Sequence, residues 1–271
     1  MIKRKDKYNI IIEKFNSANR LLEELNKREQ NKYMKGRDSS RTGDYSFTET
    51  KTYNEAAKLL IYGYDKPIEK IKGDFKIARY KDKISFENNV YGFVPNVPNS
   101  IMGLPHSMVY TSRKPKKSKI LELIYSPDAN AGVSKEKFIE NGIKMLNVIS
   151  ILEANGISVK LTCALYCGKN NSNEIALSTL SVKDYGQRLN LLKIAFPTVH
   201  PSFLRRIGFK WLETSPDITT DGFAFGYGQA LSMGSYEYEL LTEFLSKEER
   251  LILLPNIIDK SEEEILEMLV V

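Results

Sequence analysis

The residues best suited to chemistry are one histidine and two arginines in the second half of the chain. His200 stands in the segment TVHPS, and Arg205 and Arg206 follow within six residues. Histidine can transfer a proton and arginine can bind phosphate oxygens, so the trio is a candidate catalytic site for a phosphate-containing substrate. The structural alternative is stronger, because His-Pro marks a helix break and the arginines can pair with Asp184 or Glu213. No partner nucleophile or carboxylate pair stands nearby in the sequence.

A run of basic residues is the candidate for binding nucleic acid. The segment RKPKKSK could contact a phosphate backbone. A solvated turn before a strand is the ordinary alternative, since no aromatic residues alternate with the charges. The five candidates are Arg113, Lys114, Lys116, Lys117 and Lys119.

Two further loops are candidates for binding a partner. Residues 90–110 contain three prolines and two glycines, which excludes a long regular element. They form either a well-packed irregular loop, across the sheet or at a subunit contact, or a binding loop. The later segment GFAFGYGQA lacks the spacing of a dinucleotide or P-loop fingerprint, and its aromatic side chains can stack on bases or pack beneath the loop. The candidates are Pro95, Pro98, Pro105, His106, Phe223, Phe225 and Tyr227.

Composition limits the class of protein. The 271 residues, 42% of them hydrophobic, suffice for one large domain with a core and exclude wholesale disorder. No run approaches the roughly 18 apolar residues of a membrane span, and no apolar stretch of signal-peptide length follows the charged amino terminus. We therefore expect a cytoplasmic protein without a membrane partner. The net charge of +6 permits nucleic-acid contact without requiring it. Cys163 and Cys167 lack a nearby histidine for a zinc site and are expected to be buried free thiols.

One strand–helix–strand unit, residues 119–165, must position these candidates. Leu121–Ile124 predicts a strand, Ser134 a helix cap, and Asn155 with Gly156 the end of a long amphipathic helix. Val159 and Leu161 begin a neighbouring strand, and a crossover of this length makes the two strands parallel. A third strand is expected from Ile175 to Lys183.

Helices are predicted on either side of this unit. Apolar residues recur at intervals of three and four over residues 8–34, and a polar tract after them predicts a mobile linker. Capping boxes begin at Thr52 and Ser261. Two helices near residues 189–212 should break at Pro197 and Pro201, and a charged helix should run from about 237 to 254. We therefore expect a helical arm and linker over 1–44 and one α/β domain over 45–271, with its core at about 119–212 and C-terminal helices at about 237–271.

The order of elements from 119 to 212 resembles a von Willebrand factor A fold, in which a strand leads to an acidic loop, a long helix and a strand such as LEANGISVKL. The A-type domain that accompanies the cobalt-chelatase AAA ATPase is similar in layout. This resemblance implies an α/β fold with a mostly parallel central sheet flanked by helices. It also implies a metal-binding motif, D-x-S-x-S, whose nearest match here is Asp128-Ala129-Asn130-Ala131-Gly132.

That match implies at most a degenerate Mg²⁺ site. Asp128 fits, Asn130 supplies an amide where the motif has a hydroxyl, and Gly132 has no side chain, while Mg²⁺ needs several hard oxygen ligands. Ser134 is the next hydroxyl along the loop. The expected outcome is a retained fold without a cofactor.

The whole chain also resembles an uncharacterised family of phage and prophage proteins. The resemblance rests on FTETKTYNEAAKLLIYGY, GFVPNVPNSIMGLPHSM and SVKDYGQRLNLLKIAFPTVHPSFLRRIGF, and on YGQ at 227–229. It implies no activity. Three functions stay open, in this order: a phage-encoded scaffold that binds a protein partner or itself, a nucleic-acid-associated protein of phage genome replication or packaging, and an enzyme acting on a phosphate-containing substrate.

Overall fold

The computed structural model describes residues 2–5, 8–40, 45–70, 83–114, 119–130, 132–169, 172–219, 223, 227–245, 251–255 and 257–270. Within these ranges the chain is a mixed α/β fold with a six-stranded sheet and a three-stranded sheet. None of the helices in this part of the chain is long and apolar enough to cross a membrane.

The strands are β1 (Ile2–Lys5), β2 (Tyr8–Phe15), β3 (Lys83–Asn89), β4 (Val94–Pro95), β5 (Met108–Lys114), β6 (Lys119–Tyr125), β7 (Ile157–Lys169), β8 (Ser172–Lys183) and β9 (Leu251–Leu254). The helices are α1 (Ala18–Lys27), α2 (Tyr45–Thr48), α3 (Tyr53–Tyr62), α4 (Val97–Ile101), α5 (Lys135–Ala154), α6 (Leu191–Val199), α7 (Phe209–Thr214), α8 (Tyr236–Leu245) and α9 (Glu262–Val270). A π-helix, Phe203–Gly208, precedes α7, and short 3-10 turns occupy Lys32–Met34 and Ile68–Lys70.

The large sheet has the strand order β1-β2-β8-β7-β6-β9. The pairs β2/β8, β6/β7 and β6/β9 are parallel, whereas β1/β2 and β7/β8 are antiparallel. The predicted crossover is confirmed, because Leu121 pairs with Val159 and Leu123 with Leu161. The sheet is therefore mostly parallel and flanked by helices, as expected.

Alternation along the strands divides the core between the two faces of this sheet. Leu161, Cys163, Leu165 and Cys167 of β7 point to one face, which α1, α3, α5, α6, α7 and α9 cover. Ala164 and its neighbours point to the other face, where α8 packs. Both cysteines are buried free thiols, as the sequence predicts. Burial raises the pKa of each thiol well above its ordinary value.

Three predicted helix caps are present. Ser134 Oγ accepts a hydrogen bond from the Lys137 N–H at the start of α5. The Ser261 hydroxyl accepts from the Glu264 N–H, and the Glu264 carboxylate accepts from the Ser261 N–H at 2.7 Å. At Thr52 the hydroxyl accepts from the Glu55 N–H, and the Glu55 carboxylate accepts from the Lys51 N–H. These local contacts satisfy helix-terminal donors without help from the core, which is why the sequence alone reveals them.

The helix predicted over residues 8–34 is wrong in its first part. Residues Tyr8–Phe15 form β2 inside the large sheet, and the helix begins only at Ala18, after the Ser17 cap. The run Ile10–Ile12 is fully packed because its side chains alternate between both faces of the sheet. Spacings of three and four in this stretch arise by coincidence from a strand followed by a helix.

The tract after α1 packs on the body of the fold. The Asn31 side-chain amide donates to the backbone oxygens of Ser215 and Ile218, at 2.6 and 2.9 Å. Met34 is fully buried, and the Ser39 N–H and hydroxyl both donate to the Glu213 carboxylate. The described residues 28–40 are therefore anchored and do not form a free linker. The domain boundaries at 44 and 45 stay a prediction.

Two other element predictions also differ from the structure. The segment LILL at Leu251–Leu254 is strand β9, parallel to β6, and does not extend the helix that precedes it. Helix α6 continues through Pro197 and ends before His200. A proline forfeits one intrahelical hydrogen bond, and the burial of Phe196, Pro197 and Val199 offsets that loss.

Candidate functional site

Residues 83–114 form a separate structural element, here called the accessory unit. Its sheet has the order β3-β5-β4, with antiparallel pairing throughout, and α4 lies between β4 and β5. The pairing brings Phe86 opposite Thr111 and Val94 opposite Val109. The structure describes the side chains of residues 86–110 in this unit, and none of these residues belongs to either hydrophobic cluster of the molecule. Its shape must therefore come from contacts other than a hydrophobic core.

Hydrogen bonds hold the accessory unit together. The Asn96 N–H donates to the Ser107 backbone oxygen at 2.7 Å, and the Asn96 amide donates to the Asn88 side-chain oxygen at 3.0 Å. The Asn99 amide donates to the His106 backbone oxygen at 3.2 Å. Asn96 also caps α4. These bonds tie the turn before α4 to both neighbouring strands and leave the apolar side chains uninvolved.

A glycine permits the close approach of β4 to β5. A Cβ atom at Gly92 would lie 2.2 Å from the Val109 backbone oxygen, closer than any side chain can approach. The Phe93 N–H donates to that same oxygen at 3.1 Å. Glycine is therefore required here, because a larger residue would separate the two strands.

The accessory unit exposes large apolar side chains. No residue from 86 to 110 is buried. Ile101 is 81% exposed and Phe86 is 69% exposed. The other large apolar residues exposed in this stretch are Val90, Tyr91, Phe93, Val94, Val97, Met102, Leu104 and Tyr110. A contiguous segment of this kind differs from the scattered single apolar residues of ordinary protein surfaces, and such patches mark interaction sites.

The same stretch is almost free of charge. Glu87 is its one Asp, Glu, Lys or Arg residue from 86 to 110, whereas these four types make up 27% of the chain. Depletion of charge with enrichment in aromatic residues and methionine is typical of the buried centre of a protein–protein interface. The accessory unit therefore has the composition of an interface and lacks a covering layer within the described chain.

The proline-rich binding loop predicted from the sequence lies in this unit. Pro95, Pro98, Pro105 and His106 are all exposed there. The sequence prediction missed the more informative neighbours, Phe86, Tyr91, Phe93, Ile101 and Met102 among them. A signal was available, because residues 88–112 contain no Asp, Glu, Lys or Arg and their apolar residues follow neither helical nor strand periodicity.

The predicted basic run lies at one end of the accessory unit. Arg113 and Lys114 end β5, where Lys114 pairs with Lys83 of β3, and Lys119 begins β6. Lys116 and Lys117 lie outside the described residues.

The aromatic candidates of the glycine-rich loop lie in the body of the fold. Phe223 is fully buried, and Phe225 lies outside the described residues. The Tyr227 ring stacks on Phe209 with 3.9 Å between centroids, and its hydroxyl donates to the Glu213 carboxylate at 2.6 Å. Phe223 and Tyr227 therefore pack beneath the loop.

His200 follows helix α6 and the two arginines lie on the π-helix, and the three candidates make different contacts. His200 is buried, and its Nδ1 accepts a hydrogen bond from the Ser202 N–H at 3.1 Å. Burial lowers the pKa of His200 to about 3, and the charge of Lys66 adds to this shift, so the ring is neutral at pH 7. The Arg205 guanidinium lies 5.0 Å from the centroid of the Phe47 ring.

Arg206 is completely buried and connects two segments of the chain. Its guanidinium donates to the backbone oxygens of Ser39 and Thr50, each at 2.8 Å. The π-helix thereby anchors the segments on either side of α2. These contacts give His200 and Arg206 structural roles, and catalysis by the trio stays a prediction.

The three candidate metal ligands do not converge. The Asp128 carboxylate is buried, and its Oδ2 accepts hydrogen bonds from the Ser126 hydroxyl and, at 2.7 Å, from the Tyr166 N–H. The Asn130 side-chain oxygen instead accepts from the Ala230 N–H, and Ser134 caps α5. The described residues contain no group of three or more His, Cys, Asp or Glu side chains that could hold a metal ion. The loop therefore does not fit Mg²⁺.

A family model described as "Domain of unknown function (DUF7192)" matches residues 3–270 of the chain. No curated protein and no solved structure matches the chain. The description of the family names no activity, so the functional argument depends on the accessory unit itself.

Proposed function

We propose that this chain, which belongs to the family described as a domain of unknown function (DUF7192), is a non-enzymatic interaction protein that binds a protein partner through its accessory unit. The order of β6, α5 and β7 supports a von Willebrand factor A-like scaffold. The sequence resemblance to phage and prophage proteins supports production in the cytoplasm of a host cell.

One observation carries this proposal: the 25 residues from 86 to 110 are structured yet include no buried side chain. A small antiparallel sheet gains stability when one face is covered by other protein. Covering Ile101, Phe86 and their apolar neighbours would contribute about 25 cal/mol for each Å² removed from water. The hydrogen bonds of Asn96 and Asn99 already fix the backbone that carries these side chains, so binding requires little further ordering of the backbone.

The proposal can be tested with a photo-crosslinking amino acid at position 101 in cells of the natural source. Position 62 is a matched control, because Tyr62 is 79% exposed but lies on α3, outside the accessory unit. We expect a protein adduct from position 101 and none from position 62. Adding Phe93→Asp should abolish the adduct, because binding would desolvate the new carboxylate.

Equal adduct yields from positions 101 and 62 would contradict the proposal, as would an adduct at 101 that Phe93→Asp leaves unchanged. Nucleic-acid binding by the basic run from 113 to 119 stays a prediction, since the described structure adds no contact that favours it.

A further inference from the structure

We propose that the partner of the accessory unit is a second copy of this chain, so that two accessory units pack together across a twofold axis. This inference rests on the proposed function and specifies its partner. The first observation that supports it is the near absence of charged residues between 86 and 110. Between residues 86 and 110 only Glu87 carries a charge, while the whole chain carries a net charge of +6.

Charge restricts which surface can cover the accessory unit. Burying a charged group without a counter-charge costs several kcal/mol, and this stretch offers no counter-charge other than Glu87. The opposing surface must therefore itself be apolar and nearly uncharged. Another accessory unit meets this requirement, because a twofold interface places the same patch on both sides.

The net charge also favours this face over other ways of pairing two copies. Two chains of net charge +6 repel each other wherever their basic surfaces meet. Contact through residues 86–110 brings little charge into the interface, since Glu87 is the one charged residue that each copy contributes there. We therefore expect dimerisation that survives high salt, in contrast to binding driven by basic residues.

The size of the exposed stretch suits a dimer. A standard protein–protein interface involves roughly 20–30 residues on each side. Residues 86–110 supply 25 in one continuous stretch, with ten large apolar side chains exposed among them. Its aromatic anchors include Tyr91 and Tyr110, whose rings already contact each other with 5.2 Å between centroids. One accessory unit can thus form one complete side of a stable interface.

Sedimentation velocity of the full chain between about 1 and 100 µM tests the inference, because dimers in this range correspond to affinities typical of specific association. We expect a species of twice 31.0 kDa that persists at high salt. The double variant Phe93→Asp, Ile101→Asp should weaken dimerisation by at least about 100-fold, as expected for buried unpaired carboxylates. Tyr62→Asp also introduces an Asp at an exposed position, but outside the accessory unit, and should leave dimerisation unchanged.

A wild-type chain that remains monomeric at 100 µM would overturn the inference. So would a dimer that the double variant leaves intact. Near-ultraviolet circular dichroism of the buried Trp211 checks that each variant is folded. The photo-crosslinker at position 101 separates the two proposals. An adduct of two copies supports both, an adduct with a different protein rejects the dimer only, and no adduct rejects both.

Discussion

His200 is a buried histidine that the folded chain keeps neutral. Its ring lies 4.7 Å from the Tyr64 ring, edge to face, and 5.0 Å from Phe196. The pKa of about 3 in the folded chain lies below the value of 6.5 for an exposed histidine. As the pH falls below 6.5, the unfolded chain binds a proton that the folded chain excludes. The free energy of unfolding should therefore decrease between pH 6.5 and 3.

The variant His200→Asn should remove the decrease in the free energy of unfolding that His200 causes at acid pH. Asparagine can keep an acceptor for the Ser202 N–H while it has no titratable ring. We expect the variant to lose less stability than the wild type between pH 6.5 and 4, by up to about 3 kcal/mol. Urea unfolding followed by the fluorescence of Trp211, the one tryptophan in the sequence, measures the difference. Parallel pH profiles for the two proteins would show that His200 does not titrate as described.

Asp128 should have the opposite effect on how the free energy of unfolding depends on pH. Its burial raises the pKa of the carboxyl group to about 7, despite the hydrogen bonds from Ser126 and Tyr166 that favour the charged form. The unfolded group titrates near 3.9, so the folded chain retains a proton that the unfolded chain releases between about pH 4 and 7. The contribution of Asp128 to stability is therefore present at acid pH and lost as the pH rises through 7.

Asp128→Asn should stabilise the chain above pH 7. The amide oxygen can replace Oδ2 and accept from both the Tyr166 N–H and the Ser126 hydroxyl. The NH2 group would take the place of the protonated Oδ1, which has no hydrogen-bond partner, and no charge is buried. We expect an increase in the free energy of unfolding at pH 8 of about 1–3 kcal/mol and little change at pH 4. Urea unfolding at both pH values measures this. Destabilisation at pH 8 would indicate that the folded chain depends on the ionised carboxylate.

At the level of the elements, the accessory unit depends on the contact between Gly92 and Val109. Gly92→Ala would place a Cβ atom against the Val109 backbone oxygen and separate β4 from β5. We expect dimerisation to weaken about tenfold or more, with the global unfolding transition unchanged, because none of the residues from 86 to 110 belongs to either core cluster. Sedimentation velocity and urea unfolding test the two halves of this prediction.

Gly132→Ala is the matched control for this substitution. Gly132 lies in a loop outside the accessory unit, and a Cβ atom there would meet no atom within 4 Å. The dimerisation and the unfolding of the Gly132→Ala variant should equal those of the wild type. The Gly92 prediction fails if Gly92→Ala dimerises as the wild type does, or if it shifts the global unfolding transition.

The elements that the sequence predicts correctly are those with strong local signals. Helix α5 has a cap at Ser134, a long apolar stripe and a glycine end, and these fix the crossover between β6 and β7. Strand β2 was missed because Ile11, Phe15 and the leucines of α1 fit a helical period together. The accessory unit gave no regular pattern, since its apolar side chains face no core of the chain. The absence of charged residues from 88 to 112 is the one sequence signal, and the structure adds that the apolar side chains are exposed.

At the scale of the whole molecule, pairing between strands far apart in the sequence determines which segments join the sheet, and local sequence patterns do not predict this pairing. Strand β2 pairs in parallel with β8, about 165 residues further along the chain, in the register Ile10 to Ile175. Strand β9 completes the other side of the sheet beside β6. The candidate site was predictable only as a proline-rich binding loop, because exposure is a property of the folded molecule and not of a local pattern.

A deletion can separate the body of the molecule from the proposed interface. Asn89 and Met108 are paired in the antiparallel register of β3 and β5, so a two-residue Asn-Gly turn can replace residues 90–107. The variant loses β4, α4 and most of the exposed apolar side chains. We expect it to be monomeric and otherwise folded.

The most direct test is the urea unfolding curve of this deletion variant against that of the wild type, at a concentration low enough for monomers, with Trp211 as reporter. Residues 90–107 include no buried side chain, and none of them belongs to either core cluster. The two free energies of unfolding should therefore agree within about 1 kcal/mol. A loss of about 3 kcal/mol or more would contradict this, because it would mean that the removed side chains are buried against the body in the folded chain.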